Sequence, residues 1–403
     1  MSNIRLFCRT RWRSLIAALV ICLCAGFGYA WSVLQTPIVA GYGWAEGSVS
    51  LAYTVTVVCS TMSPLLFGTL IRRMSTRLCI VVGAVLFGGG LFLTGNMAQL
   101  WQLFLFYGVL SGLGCGFIYP SMMAYVVRLF PERSGLVSGL GTAAYGSGAI
   151  LWAPVAVSLT EQYTLSNAFR VLGLVFLAVI LVGSLFLQEP PEGLREALCP
   201  DSGERSGGGE EGMRRGQMVR TRDFYCMVAT FTCGLIAGVI VISQASPILQ
   251  HTLAYSAEQA AVFVSIFSAC NMAGRFFWGT LSDKIGIRTT VAAVFLLCII
   301  SMLLLAVVGQ EGVVLCAMGL AASCYGGFAS VLTPLTARIF GQAYITENYG
   351  VMYVVFGIAS LIGPSLAVGS KAMSGGAYTG AFLIAAALAA VGLILSRMIR
   401  GKR

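Results

Sequence analysis

The run from Asn271 to Arg288, NMAGRFFWGTLSDKIGIR, sets an arginine, Arg275, inside an otherwise apolar helix that ends in a compact charged turn. A guanidinium stays charged at any working pH and presents a planar fork of N–H donors that matches a carboxylate. Asp283 and Lys284 mark the end of the apolar segment. The intervening rise puts Arg275 roughly 12 Å inside, near the middle of a ~30 Å hydrocarbon layer. A cation there either binds an anion or is structural, snorkelling to the surface or bonding at a helix break. Asn271 lies one turn earlier on the same face and would orient Arg275 or touch a bound anion itself.

No Asp or Glu lies in the interior of any apolar segment, so buried positive charge has no buried negative counterpart. That pattern selects an anion over a cation as ligand. It also argues against an enzyme, since one histidine and no buried carboxylate leave no acid/base pair. His251, the single histidine, follows Gln250 at the end of the seventh apolar segment. It is either a carrier for a coupled proton or a solvent-exposed loop residue. Tyr119 on the fourth segment and Tyr145 on the fifth lie near mid-membrane depth, and Tyr29 on the first and Tyr325 on the tenth are further candidates. Each supplies a hydroxyl to a ligand or merely packs. Tyr378 reads as an interfacial anchor.

These side chains need a membrane scaffold. The chain has 403 residues, 58% hydrophobic and only 10% charged, with a mean hydropathy of +0.87. A soluble globular domain carries about a quarter charged residues. The expected fold is an all-α membrane protein of twelve transmembrane helices in two six-helix halves: residues 1–187, a cytoplasmic linker at 188–223, and residues 224–403. The linker is glycine-rich with mixed charge and cannot bury a core. Apart from Arg170, Arg275 and Lys371, every basic residue falls on the side shared by both termini. By the positive-inside rule that side is cytoplasmic, so the net charge of +10 orients the chain and does not imply nucleic acid. The 13 cysteines mostly lie within apolar runs without metal-ligand spacing, and neither a metal nor a cofactor is expected. The expected partners are the lipid bilayer and a small organic anion. The chain is expected to work as a monomer in a bacterial inner or plasma membrane.

The halves repeat. Gly68-Thr69-Leu70 with Arg77 matches Gly279-Thr280-Leu281 with Arg288, and Arg128-Leu129-Phe130 matches Arg338-Ile339-Phe340, at offsets of 211 and 210 residues. Parallel repeats place a binding site between them near the midplane. Gly279-Thr-Leu-Ser-Asp283-Lys284-Ile-Gly286-Ile-Arg288 resembles the signature gate loop of the major facilitator superfamily. Its expected physics is a close helix crossing at Gly279, a tight turn at Gly286 and a carboxylate at Asp283 that caps a neighbouring helix end or pairs with a basic residue. In the first half Arg72 replaces the acid and Ser75 the second glycine.

A longer set of matches resembles the oxalate/formate antiporter family, with monocarboxylate transporters as wider relatives. It comprises Gly28-Tyr29-Ala30-Trp31-Ser32, Arg128-Leu-Phe-Pro131-Glu132-Arg133, Ala144-Tyr145-Gly146-Ser-Gly148, Gly274-Arg275-Phe276-Phe277-Trp278-Gly279 and Asn348-Tyr349-Gly350. The resemblance implies that Arg275 binds a substrate carboxylate. It also implies a lysine on the eleventh helix of an oxalate exchanger, where this chain has Phe356. A single buried cation suits a formate-, lactate- or pyruvate-like monocarboxylate, moved by alternating access as anion exchange or proton symport. The rival readings are efflux of a hydrophobic drug, and a substrate sensor that has lost turnover.

Overall fold

The computed structural model describes residues 2–130, 134–191, 194, 212–341, 344–374 and 377–399. Within these, the side chains of residues 2–6, 8, 9, 68–73, 134–136, 138, 283 and 346 are not described. The expected linker at 188–223 therefore lies largely outside the described residues. Its described end, 212–223, holds one short helix, Arg215–Met218, and Met213 donates its N–H to the Phe340 carbonyl at 2.8 Å.

Twelve helices are long and apolar enough to cross a membrane. We number them α1 (Thr10–Tyr42), α2 (Glu46–Phe67), α3 (Thr76–Thr94), α4 (Leu100–Leu129), α5 (Gly139–Gln162) and α6 (Leu165–Leu185) in the first half. The second half holds α7 (Arg222–Thr252), α8 (Ala257–Ser282), α9 (Ile287–Val307), α10 (Glu311–Phe340), α11 (Glu347–Met373) and α12 (Thr379–Ser396). No strand occurs among the described residues. Spanning segments must satisfy their backbone internally, and helices do so.

Three helices nonetheless break near the centre of the bundle. α1 tightens to a 3-10 turn at Gly26–Ala30, α5 is interrupted at Ser147, and α11 at Tyr353. Irregular backbone at this depth is tolerated where it is buried in protein or lines a cavity. The α1 and α5 breaks meet: a Cβ on Gly26 would stand 2.1 Å from the Tyr145 carbonyl oxygen, and one on Gly148 would stand 2.3 Å from Gly26 backbone. Two glycines let these backbones touch, which brings Tyr29 and Tyr145 onto one chamber.

The gate loop behaves partly as its sequence suggests. Gly286 adopts φ +86°, the turn that a glycine was expected to make. The equivalent Ser75 has φ −64° and accepts the Leu78 N–H as an N-cap, so this half turns without a glycine. The expected close crossing at Gly279 is not there, because a Cβ would meet nothing nearer than Ser330 at 3.9 Å. The tight crossing of α8 falls more than a turn deeper, at Gly274, where a Cβ would meet the Ser323 carbonyl oxygen of α10 at 2.3 Å. Lys284 is exposed, while Arg288 donates to the Ile399 carbonyl at 3.3 Å, tying the segment after α12 to α9. The expected role of Asp283 falls on a side chain outside those described.

Candidate functional site

Arg275 is 9% exposed and is held from three helices. Its Nη2 donates to the Tyr29 hydroxyl at 3.0 Å, and its Nε donates to Asn271 Oδ1 at 3.4 Å. α5 lies directly against it, since a Cβ on Gly146 would stand 3.1 Å from Nε. The break at Ser147 frees the Gly146 carbonyl, which accepts the Ser268 hydroxyl at 2.7 Å. The broken helix is thus tied to α8, the helix that carries Arg275, about two turns from the cation.

The partners of Arg275 among the described residues are neutral. An ion pair between Lys371 and Glu46, at 2.8 Å, lies elsewhere. A charge-assisted fork with no anion in reach is an acceptor site for one.

Tyrosines surround it. Tyr29 bonds to it directly, and Tyr119, Tyr145, Tyr325 and Tyr353 extend outward from that ring. Their rings form a chain: Tyr29 lies 5.5 Å from Tyr145 and 6.4 Å from Tyr325, while Tyr119 lies 4.3 Å from Tyr145 and 6.3 Å from Tyr353. All four tyrosines singled out from the sequence are therefore brought together with Arg275 and Asn271. Tyr353 was missed, although its signal was present: Tyr349, Tyr353 and Phe356 follow at helical spacing along α11. Phe356 is 5% exposed and faces the same chamber, 4.9 Å from Tyr353 and 5.8 Å from Tyr325 by ring centroids.

His251 does not join this group. It is exposed at the end of α7, edge-on to Tyr378 at 6.3 Å. Tyr378 is 3% exposed and so is a packed residue, not the interfacial anchor its position suggests. Lys371 sits 5.7 Å over its ring while pairing with Glu46 of the other half.

Further hydrogen bonds join the halves toward the end opposite the termini. Gln35 and Gln244 exchange amide bonds at 3.1 and 3.0 Å, Gln244 also donates to Ser50 at 3.1 Å, and Thr54 donates to the Ser360 carbonyl at 2.7 Å. Gln35 and Gln244 lie 209 residues apart, close to the repeat offset, so the pair is reciprocal across the pseudo-two-fold axis. Its contacts make it part of a closure on this side.

The crossing that sets Arg275 against Tyr325 is testable by overpacking. A Cβ on Gly326 would lie 2.2 Å from the Asn271 carbonyl oxygen and 2.9 Å from its Oδ1. We expect Gly326→Ala to destabilise the protein by about 1–3 kcal/mol, read as a lower thermal denaturation midpoint in detergent.

Two six-helix bundles meeting around a tyrosine-lined cavity, with a buried arginine bonded to its wall at Tyr29, make a membrane transporter. The chain belongs to the Major Facilitator Superfamily, whose family model matches residues 16–364 and, in a second match, 226–403. It is 28% identical over 354 residues to the uncharacterized MFS-type transporter YhjX of Escherichia coli (strain K12), covering 88% of this chain and 86% of that one. It is 25% identical over 393 residues to the oxalate:formate antiporter of Oxalobacter formigenes, with 96% and 91% covered. Identity to the human monocarboxylate transporter 12 is 24% over 385 residues, with 87% and 72% covered. Among solved structures, a bacterial homolog of the human lysosomal transporter Spinster in an inward-facing, unoccupied conformation superposes with a TM-score of 0.70. At 14% identity over 97% of this chain and 98% of that one, this likeness shows the fold.

Proposed function

We propose that the protein carries a small monocarboxylate across the membrane by alternating access of its two halves, with Arg275 receiving the carboxylate. The observation that carries this reading is a buried guanidinium whose described partners are a tyrosine hydroxyl and an amide oxygen, with no carboxylate among them. Similarity to the oxalate:formate antiporter and to a monocarboxylate transporter supports the same class. Phe356 favours a monoanion, because the position that would hold a second cation in an oxalate exchanger turns an apolar ring to the chamber. Tyr29, Tyr119, Tyr145 and Tyr325 supply neutral hydroxyls around the anion, and Asn271 braces Arg275.

Exchange is the mode this arrangement favours. An unloaded Arg275 would cross as an uncompensated charge, which is costly, whereas a loaded one crosses as a pair. Among the described residues the site holds no carboxylate or imidazole to carry a co-transported proton, and His251 stands apart from it. The bonds between the halves toward the end opposite the termini fit a conformation open to the other side. With the termini cytoplasmic, as the basic residues require, that conformation faces inward. The segments 1–187 and 224–403 are the two rocking units, joined by the 188–223 linker, and one chain suffices.

The test is reconstitution in liposomes with labelled formate, lactate, pyruvate and oxalate, each with and without internal counter-substrate and a pH gradient. We expect uptake of at least one monocarboxylate, stimulated by counter-substrate. If none is moved or bound, the reading is wrong. Phe356→Lys is expected to shift the oxalate-to-monocarboxylate uptake ratio by about tenfold toward oxalate, since a second positive charge contributes on the order of 1–2 kcal/mol to a dianion. An unchanged ratio would remove Phe356 from the specificity argument.

A further inference from the structure

Asn348 begins the run Asn348-Tyr349-Gly350 at the head of α11. It is 0% exposed, and its Nδ2 donates to the Met213 carbonyl at 2.9 Å. Met213 belongs to the described end of the linker, and its own N–H is held by the Phe340 carbonyl at the close of α10. One linker residue thus has both backbone groups bonded where α10 hands over to α11. Beside it, Arg214 donates to the Tyr344 hydroxyl at 3.3 Å and stands 5.6 Å over that ring. Met218 is fully buried, and the Thr221 hydroxyl caps α7 by accepting the Phe224 N–H at 3.2 Å. From Met213 to α7 the chain is packed and bonded, unlike a free tether.

The first half makes the equivalent tie by other means. Arg11, at the start of α1, donates to the Leu129 carbonyl at 3.2 Å and lies 4.2 Å over the ring of Phe130, the repeat counterpart of Phe340. Each half therefore fixes the entry to its first helix against the end of its fourth, with side chains in one and linker backbone in the other. Only the second tie reaches a broken helix. Because α11 is interrupted at Tyr353, its first part is the separate eight-residue helix Ile345–Met352. So short a helix is unstable alone and takes its position from tertiary contacts. Asn348 lies in the middle of it. Tyr353, at its end, stacks on Tyr119 at 6.3 Å and lies 4.9 Å from Phe356.

We propose that Asn348 is a positioning residue for transport: by clasping the Met213 carbonyl it fixes the first part of α11, and through it the Tyr353 ring against Tyr119. It acts on the tyrosine cluster from outside, through the backbone that carries Tyr353. The last linker residues, 212–221, are then a working part of the second half. Released from the clasp, Tyr353 has to be ordered by the incoming anion, so binding weakens by the fraction of molecules in which the ring is out of place. The inference rests on reading Arg275 and its tyrosines as the transport site.

The experiment compares the full-length wild type with Asn348→Leu, which keeps the shape of the side chain and removes its donor. Three readouts are taken: amide hydrogen exchange, fluorine NMR of 3-fluorotyrosine placed at position 353, and liposome uptake of labelled formate, lactate, pyruvate and oxalate. We expect exchange over Ile345–Met352 to quicken by about tenfold, the worth of one hydrogen bond. The fluorine line should move or broaden. KM for a transported acid should rise by about three- to tenfold with its maximal rate little changed. Exchange in α3 should stay as in wild type, which reports that the variant is folded. Arg214→Ala, an exposed change that leaves Asn348 in place, should shift exchange and KM the same way by about two- to fivefold, and it decides the matter if Asn348→Leu does not fold. Unchanged exchange overturns the clasp. Faster exchange with an unmoved fluorine line or an unchanged KM overturns the positioning role while leaving the carboxylate reading intact. Failure of every acid to be moved by the wild type overturns that reading instead, and the fluorine line then decides whether Asn348 positions Tyr353.

Discussion

Arg275→Gln is expected to reduce monocarboxylate uptake by about two orders of magnitude or more, with the protein still folded and inserted. Truncating one partner of a buried, hydrogen-bonded charge pair costs roughly 2–5 kcal/mol, equivalent to about thirtyfold to several-thousandfold in affinity. Glutamine keeps a donor near Tyr29 and Asn271, so the loss would report charge and the fork rather than a collapsed cavity. Arg275→Lys separates the two. It restores the charge without the planar pair of donors, and should recover part of the binding while leaving it about tenfold below wild type. The measurement is labelled-anion uptake and binding on purified protein, with thermal denaturation as the folding control. Because Arg275 has neutral described partners, the unloaded variant should be no less stable than wild type. If Arg275→Gln transports at wild-type rate, the cation is structural and efflux of a hydrophobic drug becomes the better reading.

The second large effect is expected at the pair Gln35 and Gln244. Both amides are at most 1% exposed, and each donates to the other. Gln35→Leu leaves the Gln244 amide oxygen without that donor in a buried place, at a cost of about 1–3 kcal/mol paid only when this side is closed. The population open on this side should rise by about 5- to 150-fold. Gln35→Leu/Gln244→Leu replaces both partners with apolar groups of similar shape and should lie closer to wild type than either single variant. The measurement is the spread between labels at Gln162 and Gln310, attached without thiol chemistry because the chain carries 13 cysteines. Glu46 and Lys371 provide an independent brace, so neither variant should open this side in every molecule. Equal distances in wild type and both single variants would mean that the pair does not control the closure.

Much of the scaffold was legible in the sequence. An apolar run of spanning length has one stable backbone state in lipid, so twelve such runs yield twelve helices without further information. The repeat offsets located the two halves, and the same spacing recurs, within a residue or two, in the Gln35–Gln244 contact. Arg275 was legible because a charge within an apolar run has no cheap explanation. Tyr29, Tyr119, Tyr145 and Tyr325 were reached from depth and resemblance together.

The remainder was hidden for one physical reason. In a soluble helix the polar face names the solvent and the apolar face names the core, but a spanning helix is apolar toward lipid and toward protein alike. Periodicity therefore gives no view of which tyrosine turns inward, and Tyr53, Tyr107 and Tyr353 went unnoticed while Tyr378 was taken for an interfacial anchor. The signature glycine Gly279 suggested a close crossing, yet closeness depends on the partner helix, and α10 approaches at Gly274 and Gly326 instead. By itself the sequence determined a twelve-helix, two-half membrane protein with one deeply buried cation. Only the tertiary structure decided that this cation faces neutral hydroxyls, that Phe356 shares its chamber, and that two glutamines close one side. Each of those depends on which helices meet, and a chain written in one dimension does not carry that contact until the helices pack.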